Sequence, residues 1–80
     1  MNTIIYKKHV SLDTPFKGPK DITFGIQNKI PVVWYDPDMP ETCNYIVVFT
    51  GVSTKTLVKA KLIATAQDES TGLVYHLLKC

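Results

Sequence analysis

Asp21–Tyr35 reads DITFGIQNKIPVVWY. Ile22, Phe24 and Ile26 alternate with Asp21, Thr23, Gly25 and Gln27. That two-residue period is the mark of a half-buried β-strand. A tight polar turn at Gln27-Asn28-Lys29 leads into a second strand, Ile30–Tyr35, where Ile30, Val32 and Trp34 share a face. Pro31 has no backbone donor, so its nitrogen side is expected at an edge or a bulge. The period decides the fold class and leaves the activity open.

The same pattern extends outward. Thr3–Val10 reads as an opening strand with Ile4, Tyr6 and Val10 on one face and Ile5, Lys7 and His9 on the other. Ser11–Lys20 holds Pro15, Gly18 and Pro19 and reads as a loop. Asp36–Thr42, DPDMPET, is a rigid turn in which two prolines fix φ and the aspartates accept backbone donors. Cys43–Thr50 is apolar on both faces, which places it centrally. Asp68–Gly72 is a turn signal, and Leu73–Lys79 is a strand whose hairpin partner is Leu62–Gln67.

Ser53–Gln67 admits two readings. Val58, Ile63 and the threonines favour a turn followed by a strand. Ser53 as a cap, with Leu57, Val58 and Leu62 near one face, favours a helix near 54–66. The expected fold is therefore mainly β, a single antiparallel sheet of five to six strands curled into a barrel or a two-layer sandwich. The alternative is α+β, with one helix on the sheet.

The chain has 80 residues, enough for one domain over 1–80 that buries about 60–65% of its unfolded surface. No apolar run approaches the roughly 20 residues of a membrane helix, and the start lacks a signal-peptide block. A cytoplasmic protein without membrane contact is expected. All nine basic residues are lysines. Without arginine the chain lacks the planar fork that reads guanine and clamps phosphate, so nucleic acid is not the expected partner. Cys43 and Cys80 form neither a metal spacing nor a disulfide framework and are expected free.

Chemistry-bearing residues are few. Asp36, Asp38 and Glu41 lack the ligand number and the glycine of a calcium loop, so they read as turn residues and no metal is expected. His9 and His76 have no partner close in sequence. His76 should lie with Val74 and Leu78, bonded to a backbone carbonyl; a Cys43–His76 pair would need a geometry the sequence does not supply. Phosphate loops, dinucleotide fingerprints and nucleophile elbows are absent, so no cofactor and no enzyme are expected. Trp34, Tyr35, Asp36 and Asp38 combine large aromatics with a polar rim, as contact surfaces do. The competing reading puts Trp34 in the core beside Ile30 and Val32 and leaves Tyr35 exposed. Lys55, Lys59 and Lys61 are the loosest basic cluster, either solvated surface or a phosphate-facing set.

An opening strand IIYKKHVSL precedes a hairpin with Gln27, Asn28, Pro31 and Trp34. A Thr50-Gly51 turn follows, then a closing strand with Val74, Tyr75 and His76. This order of segments resembles a family of small uncharacterised bacteriophage proteins, and the resemblance spans nearly the whole chain. It implies phage origin and a small β fold, and no known activity. On that basis the expected function is a non-enzymatic accessory protein that binds and modulates a host protein, including a counter-defence factor. One alternative is a homo-oligomer that sequesters a small nucleotide signal, with Lys55, Lys59 and Lys61 on phosphate. A second is a small β-barrel nucleic-acid binder.

Overall fold

The computed structural model describes residues 4–50 and 60–80. Seven strands lie within them: β1 Tyr6–His9, β2 Phe16–Gly18, β3 Thr23–Gln27, β4 Ile30–Tyr35, β5 Cys43–Phe49, β6 Lys61–Gln67 and β7 Val74–Lys79. They form two antiparallel sheets rather than one, in the orders β1-β4-β3 and β2-β5-β7-β6. The described residues hold no helix, and the stretch up to Gln67 that a helix would have included is strand from Lys61. The rest of the helix reading, at 54–59, lies outside the described residues. No helix among them is long and apolar enough to cross a membrane.

The β3–β4 hairpin forms as its sequence predicts. Gln27 pairs with Ile30 across a two-residue turn in which Asn28 and Lys29 both have positive φ, 51° and 65°. That is the backbone of a type I′ turn, whose twist matches the flanking strands. Pro31 falls in a central strand, not at an edge. Its carbonyl accepts the Val10 N–H at 3.1 Å, one residue past the last β1–β4 pair, His9–Val32. The missing donor thus falls where the β1 ladder ends.

The buried cluster draws on both sheets. Val33, Tyr35 and the adjoining Val10 come from the first; Tyr45, Val47, Tyr75 and Leu77 come from the second. Phe24 and Ile26 pack against it from β3, as the alternation requires. In β4 the core face is that of Val33 and Tyr35, which corrects the expectation that Trp34 lies in the core and Tyr35 is exposed. Tyr35 is 7% exposed, whereas Trp34 is half-buried on the opposite face. Both faces of this middle strand are apolar, so alternation alone does not say which one points inward. On the outer face, Lys7 reaches across β4 and donates to Gln27 Oε1 at 3.0 Å, and Val32 between them is fully buried.

The strand that the sequence hides is β2. Phe16 pairs with Tyr45 and Gly18 with Cys43, between Pro15 and Pro19. Prolines at the ends of a three-residue edge strand break no ladder bond. Tyr45 fixes the segment: its ring stacks on Phe16, and its hydroxyl donates to the carbonyls of Pro19 and Lys20.

No closed barrel forms among the described residues. The edge strands β3 and β6 run beside each other with no ladder pairing between them, leaving a seam between the sheets.

Candidate functional site

A groove opens at one end of this seam. Five parts of the fold build it. The end of β4 supplies Trp34 and Tyr35, and the turn after it supplies Asp36 and Met39. The approach to β3 and its first residue supply Lys20, Asp21, Ile22 and Thr23. Ile5 comes from the segment before β1, and Ile63 from β6. The groove encloses about 570 Å³.

Local chemistry explains each position. The six-membered ring of Trp34 lies against Gly25, the one residue of β3 without a side chain to block it. Asp36 is half-buried and closes the proline turn. Its Oδ1 accepts the Asp38 N–H at 2.9 Å, and its carbonyl accepts the Met39 N–H at 3.1 Å. The turn thereby projects Met39, which is 41% exposed. Ile63 is set by a β-bulge. Leu62 pairs with Leu78 and Ala64 with Leu77, so Ile63 is the extra, unpaired residue. Bulges re-aim side chains in this way, and here the one re-aimed is a 41% exposed isoleucine lining the groove. Ile5 is 60% exposed.

Tyr35 forms an inner wall. Its ring meets Tyr6 edge-on at 5.5 Å between centroids. Burial pushes its hydroxyl above the ordinary tyrosine range, and the negative charge of Glu41 adds to the shift. Of the carboxylates of the acidic turn, Glu41 thus acts on Tyr35, and Asp36 lines the groove.

Of the residues singled out from sequence, the groove unites Trp34, Tyr35 and Asp36. Asp38 is exposed and shapes the turn without lining the groove. Lys61 is exposed and sits opposite Lys79 in the β6–β7 ladder. Lys55 and Lys59 lie outside the described residues. Sequence reasoning missed Met39, Ile63, Ile5 and Asp21. Ile63 carried a weak signal, an isoleucine out of step with the Leu62–Gln67 alternation.

The histidines and Cys43 do not gather. His9 is exposed on the outer face of the first sheet. His76 lies on the outer face of the second and meets hydroxyls rather than a backbone carbonyl: Thr50 Oγ1 at 2.6 Å from Nε2 and Thr65 Oγ1 at 3.0 Å from Nδ1. Cys43 shares the parity of Tyr45 and Val47 and packs against the core. Burial pushes its thiol up, but hydrogen bonds from Thr42 and Lys79 and the Lys79 charge outweigh this, leaving it below its ordinary value. Among the described residues, no three His, Cys, Asp or Glu side chains are placed to hold a metal.

A second hollow, about 480 Å³, lies at the other end of the seam between the β3–β4 and β6–β7 turns. Asp68 in its lining commits one oxygen to its own turn, where Oδ1 accepts the Ser70 N–H at 3.0 Å and the Ser70 hydroxyl at 2.7 Å.

No protein-family model, curated protein or solved structure matches the chain.

Proposed function

We propose that this chain is a non-enzymatic binding protein that engages a partner protein through the Trp34–Met39–Ile63 groove. The observation that carries the reading is the convergence there of Ile5, Met39 and Ile63, each at least 41% exposed, around a half-buried tryptophan. A small domain that leaves such apolar residues together in one concavity bears the cost of keeping them in contact with water, which a partner removes by covering them. Trp34 has the size and rigidity of an interface anchor, and Lys20, Asp21 and Asp36 supply the polar rim. We read the two sheets as the layers of a sandwich, open at the β3–β6 seam, that hold the groove rigid. In keeping with the phage resemblance, the partner is a host protein and the setting the host cytoplasm, where such binding modulates the partner, defence factors included.

The test is capture from bacterial lysate with the intact chain and with a Met39→Asp/Ile63→Asp variant as baits. Both substituted positions are exposed, so the melting temperatures should agree closely. A protein held by the first bait and lost from the second supports the groove. Partners retained equally by both would remove it.

A further inference from the structure

We infer that the groove takes a basic side chain of its partner, a lysine or arginine flanked by apolar residues in an extended segment. This rests on the protein-binding reading above and specifies its ligand. Three features of the groove converge on a cation with an aliphatic stem. Trp34 offers an indole, the aromatic that binds cations best. Asp21 and Asp36 line the same concavity, against one lysine, Lys20. Met39 and Ile63 supply apolar surface for a methylene chain, which long basic side chains bury while keeping the charged head near carboxylates.

The electrostatics also select against other occupants. Asp36 commits Oδ1 to the Asp38 N–H, which fixes its carboxylate, and Glu41 adds negative charge close to Tyr35. Phosphate groups, whether of nucleotide, nucleic acid or lipid, would meet repulsion here. A purely apolar segment would strand Asp21 and Asp36 beside it with poorer solvation.

The probe is an immobilised pentapeptide library in which each amino acid in turn is fixed at the centre, read out with the intact labelled protein at low salt. Three variants run beside the parent: Trp34→Ala, Asp21→Asn/Asp36→Asn, and Met39→Lys. The last places a cation in the groove from an exposed position and covers the case in which Trp34→Ala fails to fold. Retention peaking at lysine and arginine, cut about tenfold by the two Asp→Asn changes and reduced by Met39→Lys, supports the inference. Retention that needs Trp34 but peaks at uncharged or acidic centres overturns it and leaves the groove reading standing. Retention equal in the parent, Trp34→Ala and Met39→Lys, or none at all, overturns both.

Discussion

The Trp34 indole rests on Gly25: a Cβ built at Gly25 would lie 3.0 Å from Trp34 Cζ3 and 3.3 Å from Cη2. The two residues belong to neighbouring strands, and the missing side chain of one sets the position of the other. Gly25→Ala should therefore displace the ring outward. The chain has one tryptophan, so its emission should shift to the red without interference. The clash should destabilise the fold by about 1 kcal/mol, since the half-buried ring can give way. Unchanged emission would mean that Gly25 does not position the indole.

Tyr45 ties β5 to the segment after β2. Tyr45→Phe leaves the carbonyls of Pro19 and Lys20 without this donor and should cost about 1–2 kcal/mol by urea denaturation. Burial, aided by the charges of Cys43 and Asp21, pushes the hydroxyl up to about 12 from 10.0. The neutral form is the one the fold favours. Its contribution is full below pH 10 and disappears as pH rises towards 12. The stability difference between parent and Tyr45→Phe should shrink across that window.

Lys29 holds φ at 65° in the β3–β4 turn, a left-handed conformation that costs an L-residue energy. Lys29→Gly produces the Asn-Gly pair that type I′ turns prefer. The expected gain is about 0.5–1 kcal/mol, read from the denaturation midpoint at constant slope. A loss of stability would show that the lysine side chain holds the turn.

Asp68 anchors the β6–β7 turn. The Ser70 hydroxyl holds its carboxyl below the ordinary 3.8, against the opposing effect of burial. A lowered folded value means stability present above pH 3.8 and lost as pH falls through the folded value. Acid titration of Asp68→Asn should lack that component, because the amide keeps an acceptor for Ser70 and cannot be protonated in this range. Parallel acid profiles for the two proteins would contradict the assignment.

The hairpin at Thr23–Tyr35, the central place of β5 and the closing β6–β7 pair were legible because alternation and turn chemistry act locally. Which face of β4 points inward was not, because Val32 and Val33 are equally apolar and the choice depends on the second sheet. β2 escaped notice because three residues between prolines carry no period, and Tyr45, 26 residues from Pro19, is what holds the end of that segment. The groove was half legible. Trp34 and Asp36 stood out as an aromatic beside an acid, whereas Met39, Ile5 and Ile63 join them only through a turn, a sheet edge and a bulge.

The most direct check uses a photo-crosslinking amino acid at Met39, with a control at Leu73, which is 45% exposed beside the β6–β7 turn. After irradiation in bacterial lysate, Met39 should give a discrete adduct with a single protein and Leu73 none. An adduct at Leu73 with none at Met39 would place recognition elsewhere on the molecule and remove the groove as its site.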